Sequence, residues 1–125
     1  TDRIQKVNLT SQATATDVAN TTQARYKAAG NSSTTHGYNS AGWSGSQSNV
    51  IDKFNMSTDA DSTDVGNLIT GTHNVGGSSS TTYGYVAGGH PNLNSIEKFS
   101  FAADGNATDV GNLTTTFQGT AGCQH

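Results

Sequence analysis

Ser78-Ser79-Ser80-Thr81-Thr82-Tyr83-Gly84-Tyr85 restates Asn31-Ser32-Ser33-Thr34-Thr35-His36-Gly37-Tyr38 at a shift of 47 residues. Ile96-Glu97-Lys98-Phe99 restates Ile51-Asp52-Lys53-Phe54 at a shift of 45, and Ile4-Gln5-Lys6-Val7 precedes that copy by 47. Asp109-Val110-Gly111-Asn112-Leu113 restates Asp64-Val65-Gly66-Asn67-Leu68, with Asp17-Val18-Ala19-Asn20 as a weaker third copy. Gly30, Gly77 and Gly122 each stand ten residues after the Asn of that motif. Landmarks that stay in phase over three copies do not come from composition bias, so the chain reads as a repeat array. The difference between the two periods falls between Tyr38 and Ile51, where the segment 42–49 is longer than its counterpart 89–94. Insertions are tolerated in loops, which makes the stretch Gly42-Trp43-Ser44-Gly45-Ser46-Gln47-Ser48-Asn49 a loop.

Composition agrees with β structure. Of 125 residues, 60 are Ser, Thr, Asn or Gly and only 31% are apolar, against about 45–50% in ordinary domains. Poor helix formers dominate and no stretch carries apolar residues at i, i+3, i+4, i+7, which excludes a helical bundle. A disordered chain of this polarity is usually rich in Pro, Glu and Lys, whereas this one has one Pro and 12% charged residues. Within one copy, Tyr83-Gly84-Tyr85-Val86-Ala87 is a β-rich run stopped by Gly88-Gly89. Ser95 to Phe101 follows with imperfect alternation, Phe99 and Phe101 sharing the buried face with Glu97. Ala102 to Asn106 is a turn, Ala107 to Leu113 a third strand, and the small-residue stretch from Thr72 to Ser80 a fourth. Four short strands in about 46 residues is the size of one propeller blade.

The Gly88-Gly89 pair closing an aromatic strand, a variable loop, Ile96-Glu97-Lys98-Phe99, a polar turn and the Val110-x-x-Leu113 element together resemble the kelch blade. The wording is similar to that of kelch-like repeat proteins of aquatic bacteriophages and environmental bacteria. Two departures stand out: Val65 and Val110 occupy the place where the family keeps Trp, and the first diglycine is Ala41-Gly42. The resemblance covers the whole chain as about 2.7 blade equivalents and implies an all-β fold of four-stranded antiparallel kelch-like β-propeller blades. The expected organisation is a partial blade of outer strands over 1–30, blades over 31–77 and 78–122, and the start of a further blade at 123–125. Joining the end to the start omits a Tyr-Gly-Tyr strand and a diglycine, so the expectation is that a longer chain, rather than copies of this one, supplies the remaining blades.

Six Lys and Arg residues are spread along a chain of net charge −3, which is no footprint for nucleic acid. No window approaches the roughly 20 apolar residues of a membrane span, and membrane insertion is not expected. The single Cys123 lacks a partner for a disulfide or a zinc site and reads as a small semi-buried residue. Asp59, Asp61 and Asp64, and their counterparts Asp104, Asn106 and Asp109, place oxygens at positions 1, 3 and 6 of a turn. That spacing suits calcium, although the position-12 Glu of an EF-hand is missing. The competing reading is an Asx turn whose side chains bond nearby backbone amides, and the first copy, Gln12-Ala13-Thr14-Ala15-Thr16-Asp17, has lost most of the ligands. Calcium is the one cofactor considered. His36, His73, His90 and His125 form no ligand set by spacing, and no nucleophile elbow is present.

Trp43, the only Trp, lies in the longest loop, with His90 at its place in the next copy. These two are the candidate glycan-stacking residues, set against a loop aromatic folded over its own blade; Tyr26, Tyr38, Tyr83 and Tyr85 are expected in blade packing. Asn8, Asn20, Asn31, Asn55, Asn106 and Asn112 carry N-x-Ser/Thr sequons and are the candidate glycosylation acceptors. Together with the resemblance, these features lead to the expectation of a non-enzymatic, structural and adhesive component of a virion appendage or extracellular filament. Its partners would be neighbouring repeats or copies of the same chain, and cell-surface glycans. A secreted lectin-like propeller is the alternative reading, and an oxidase or glycosidase propeller is a third.

Overall fold

The computed structural model describes residues 1–11, 13–119 and 122. The expectations for Gln12, Cys123 and His125, and for 123–125 as the start of another repeat, lie outside the described residues.

The chain is all-β, and its strands follow the repeat. A two-stranded antiparallel sheet comes first, made of β1 (Arg3–Lys6) and β2 (Thr16–Asn20). A four-stranded antiparallel meander follows, in the order β3 (Ala29–Ser32), β4 (His36–Ser40), β5 (Ser48–Asn55) and β6 (Thr63–Thr72). A second meander has the same order: β7 (Gly76–Ser79), β8 (Tyr83–Ala87), β9 (Ser95–Ser100) and β10 (Thr108–Asn112). By the 47- and 45-residue shifts, β1 corresponds to β5 and β9, and β2 to β6 and β10.

Two boundaries differ from expectation. Thr72 ends β6 and His73 to Val75 turn the chain, so the small-residue strand is Gly76–Ser79 alone. Ser48 and Asn49 begin β5, which confines the Trp43 loop to residues 41–47. Ser48 joins the sheet because it pairs with Thr72 at the far end of the extended β6.

The imperfect alternation of the Ile-x-Lys-Phe strand has a cause in the register. In each copy the last strand of the sheet carries one extra residue: Val18, Val65 or Val110. Ile4 thus pairs with Ala19 and Gln5 with Asp17, Ile51 with Gly66 and Asp52 with Asp64, and Ile96 with Gly111 and Glu97 with Asp109. A bulge of this kind re-aims neighbouring side chains and increases local twist. Ile51 and the adjacent Asp52 are both fully buried, at 0% exposure each.

The αL backbone positions recur with the repeat as well. Lys27, Asn74 and Gly119 hold φ of 59°, 58° and 71° at one repeat position. Ala41-Gly42 (φ 64° and 109°) has the same backbone as Gly88-Gly89 (φ 67° and 112°). Glycine favours this region because a Cβ is penalised there. At Gly89 a side chain would also collide with Thr72 Oγ1 and come within 2.7 Å of Val75 Cγ1. Ala41 holds its αL conformation in a fully buried site, at 0% exposure.

The core lies between the two meanders. Tyr38 on β4 stacks on Phe101 (ring centroids 4.8 Å) and tilts against Phe99 (5.3 Å), both from the second meander. Ile51, Leu68, Val86, Phe99 and Ala107 complete the buried cluster. Along the first strands the approach is closer still. A Cβ on Gly77 would lie 2.6 Å from the Gly30 carbonyl oxygen, and Asn31 Nδ2 donates to the carbonyls of Ser78 and Tyr85. Glycine at position 77 is what lets β7 run beside β3, whereas a Cβ at Gly30 would meet nothing within 4 Å.

Candidate functional site

The polar residues singled out in the sequence converge on the junctions between successive repeats, where the same bonds are made twice. Lys6 Nζ meets Asp59 Oδ1 at 2.7 Å, and Lys53 pairs with Asp104 in the same way. The Asn20 amide donates to Asp61 Oδ1 (2.8 Å), and the Asn67 amide donates to Asn106 Oδ1 (2.9 Å). The Ser62 and Ala107 amides return bonds of 2.9 Å to the carbonyls of Asn20 and Asn67. The Thr22 amide donates to buried Asp52 (3.1 Å), and the Ile69 amide donates to buried Glu97 (2.8 Å). Every pair is related by the repeat shift.

This arrangement accounts for the Asp-rich turns. They were expected to bond nearby amides, yet Asp61 and Asn106 reach amides 41 and 39 residues earlier in the chain. Asp64 and Asp109 are the locally engaged members, accepting from the amides of Gly66 and Gly111. The candidate calcium oxygens of Asp59, Asp61 and Asp64, and of Asp104, Asn106 and Asp109, thus point at different partners and do not share one centre. Among the described residues no three His, Cys, Asp or Glu side chains gather into a ligand group.

The first junction contains a group that sequence reasoning missed. Arg25 and Asp52 form an ion pair of 2.8 Å with both side chains fully enclosed. Arg25 also donates to the Asn39 carbonyl (2.7 Å), while Asp52 takes a further bond from Thr22 Oγ1 (2.6 Å). Burial pulls the Arg25 guanidinium below its ordinary pKa, and the charges of Asp52 and Asp64 oppose that pull. A buried charge is tolerated when it is paired; here Arg25 Nη1 also donates to Ser48 Oγ (3.3 Å), while Arg25 Nε has no partner among the described residues. The available signal was the placement of Asp52 on the face of Phe54, since an acid on a buried face calls for a partner.

At the second junction Arg25 is replaced in phase by Thr72, which donates to the His90 carbonyl (2.9 Å). Glu97 therefore has backbone amides for partners and, among the described residues, no cation. Burial raises its pKa above the ordinary 4.5, an effect that the Ile69 amide counteracts.

Trp43 and His90, the candidate glycan-stacking residues, are brought together through His73. Trp43 meets His73 edge-on with centroids 5.1 Å apart, and His73 stacks on His90 at 4.7 Å. Gln47 Nε2 approaches His90 Nδ1 at 3.0 Å. Trp43 is half-buried, with its ring against His73 of the same 31–77 unit and its backbone paired with Tyr26 of the preceding one. His73 is buried and its pKa is lowered by desolvation, with smaller contributions from His90 and Lys27. Tyr26, expected in internal packing, is 57% exposed beside this cluster, where its backbone pairs with that of Trp43.

The sequons divide by environment. Asn8, Asn20, Asn106 and Asn112 are exposed, and Asn55 is half-buried. Asn8 and Asn55 hold matching turns through their Oδ1 atoms, each accepting from two following amides. Asn31 is buried with its Nδ2 committed between β3 and β7, so glycosylation there is incompatible with the fold.

A cleft of about 380 Å³ lies beside the first junction, lined by Ile4, Val18, Ala19, Phe54, Met56 and the Lys6–Asp59 pair. A second, of about 410 Å³, shares Phe54 and Met56 and extends along Gly30 and Gly77. No family model matches the chain, and no curated protein matches it in sequence.

Proposed function

We propose that this chain is a scaffold segment built from kelch-like β-propeller blades, with a structural and adhesive role in a virion appendage or extracellular filament. The observation that carries this reading is the duplicated junction. The acids, amides and lysines that would supply chemistry in an enzyme are spent, copy after copy, on joining one repeat to the next. Stacking of this kind stabilises an array through nearest-neighbour contacts even when each unit has a thin core. The two successive four-stranded meanders in one strand order support the blade reading.

Adhesion to glycans has its own support in the cluster of Tyr26, Trp43, His73 and His90, which places an exposed tyrosine next to a half-buried tryptophan at one end of the sheets. Aromatic faces of this kind suit the apolar faces of sugar rings. A glycan array and a cell-surface binding assay on the purified chain test this, with Trp43→Ala and Tyr26→Ala alongside. Selective glycan binding lost in both variants favours a lectin-like propeller. Cell-surface binding that survives both variants favours adhesion through another face. Turnover of a sugar substrate by the purified chain would sink the non-enzymatic reading.

A further inference from the structure

Gln47 and His90 join loops of two successive repeats, with His73 stacked against the contact. The amide nitrogen of Gln47 lies 3.0 Å from His90 Nδ1 and 3.2 Å from the His90 carbonyl oxygen. An amide nitrogen only donates, so Nδ1 is the accepting atom and the ring carries its proton on Nε2. Turning the amide over would set its oxygen against the carbonyl oxygen, which fixes the orientation. His73 is 8% exposed and stacks on His90 at an interplanar angle of 29°, and its Nδ1 is buried with no hydrogen-bond partner among the described residues. A proton on His90 Nδ1 thus faces a donor, and one on His73 Nδ1 faces no acceptor, which is costly in a site shut off from water. The surrounding charges offer no compensation. Residues 41–47, 69–75, 88–94 and 117–119 contain no ionisable side chain apart from the two histidines. The segment 25–28 contributes Arg25, which is paired with Asp52, together with Tyr26 and the cation Lys27. Burial pulls the His73 pKa below its ordinary 6.5, and His90 and Lys27 add to that pull.

We propose that Gln47, His73 and His90 form an acid-released latch: protonation of the histidine pair breaks the Gln47–His90 bonds and parts the loop 41–47 from residues 88–91, while the sheets stay folded. Histidine is the side chain suited to such a switch near neutral pH. The folded chain disfavours a proton that the unfolded chain accepts at 6.5, so the latch holds fully above that pH and is lost as pH falls through the lowered value of His73. Stacked histidines titrate as a pair, so the loss belongs to both rings. Release is local, because the bonds Lys53–Asp104, Asn67–Asn106 and Ile69–Glu97, which also join these two repeats, involve no histidine. The latch goes beyond the scaffold and glycan readings and depends on neither.

The test is a titration of the full chain from about pH 8 to about pH 5, reading the fluorescence of Trp43, the single tryptophan, beside far-ultraviolet circular dichroism and amide hydrogen exchange. A sigmoidal change in emission with its midpoint below 6.5 is expected, with unchanged dichroism. The amides of Trp43 and His90, which donate to the Tyr26 and His73 carbonyls, should lose about tenfold in protection across the same range once intrinsic rates are corrected for, while those of β4 and β5 keep theirs. His73→Phe combined with His90→Phe should abolish the transition, and Gln47→Ala should show the acid-form exchange already at the alkaline end. Nitrogen-15 shifts of the wild-type imidazoles, which need no variant to fold, should report His90 with its proton on Nε2 before acid is added. Flat emission, a transition that survives in the double histidine variant, one accompanied by loss of dichroism, or His90 found with its proton on Nδ1 would overturn the proposal. The adhesive reading is decided by the glycan and cell-surface assays, which this titration does not touch.

Discussion

The two junctions share a set of directional bonds and differ in how they accommodate a buried acid. Where β1–β2 meets the first meander, Asp52 is paired with Arg25 and both side chains are enclosed. Where the two meanders meet, Glu97 is held by backbone amides and an aromatic cluster of Tyr38, Phe99 and Phe101 closes the surface. The repeat thus preserves the bonds that set the spacing of one sheet on the next, while the partner of the buried acid changes from a cation to backbone amides. Backbone-directed bonds tolerate such exchange because they depend on the position of the main chain rather than on the side chains that fill the remaining space.

Removing one partner of the buried pair should have the largest effect. Arg25→Ala leaves Asp52 enclosed without a cation and is expected to cost about 3–5 kcal/mol, read as a lower urea midpoint. The double variant Arg25→Met with Asp52→Leu should recover much of that loss. A single variant within about 1 kcal/mol of wild type would show that water reaches Asp52, and the contrast between the junctions would then disappear.

Tyr38→Ala acts on the other junction. It removes an aromatic with 3% exposure from between Phe99 and Phe101, which by analogy with other large core truncations costs about 3–5 kcal/mol, placed here at the lower end because Phe101 is only partly buried. Amide hydrogen exchange should quicken across β7–β10 more than across β1–β2. Equal loss of protection in both regions would mean that the two junctions unfold as one unit.

Glu97→Gln is expected to be nearly neutral at low pH, because the amide oxygen still accepts from Ile69. The pKa of Glu97 lies above the ordinary 4.5 in the folded state, so the folded protein keeps a proton that the unfolded chain has released. Its favourable contribution is greatest below 4.5 and is lost as pH rises through the folded pKa. Stability of Glu97→Gln relative to wild type should therefore climb between pH 4 and pH 7, measured by denaturation at each pH. A flat or falling difference would show that burial does not disfavour the charged form of Glu97.

The smallest effect should come from Lys53→Ala, which removes a part-exposed ion pair with Asp104. Pairs of this kind contribute about 0.2–1 kcal/mol, and the difference from wild type should shrink in 1 M salt. A salt-independent loss would locate the contribution of Lys53 in its aliphatic stem.

Much of this organisation was legible before any coordinates. The repeat marks the strands because strand-forming and turn-forming residues recur in step, and glycines such as Gly77 and Gly89 stand where close approach or αL backbone excludes a side chain. The Asp-rich turns were recognised as turns, but their partners were not, since bonds spanning 41 and 39 residues depend on how one sheet lies on the next. Arg25 looked like one of six scattered cations. Its role emerges only when the chain between β2 and β3 passes over Asp52 and removes both groups from water.

By itself the sequence determined that this protein is all-β, that it is a repeat with periods of 47 and 45 residues, and where its turns fall. Those properties follow from local backbone preferences and from side-chain periodicity. Tertiary structure decided which acid is paired and which is only hydrogen-bonded, and that Trp43, His73 and His90 meet. The physical reason is that burial and pairing belong to two surfaces at once, and the identity of the second surface is not written next to the first.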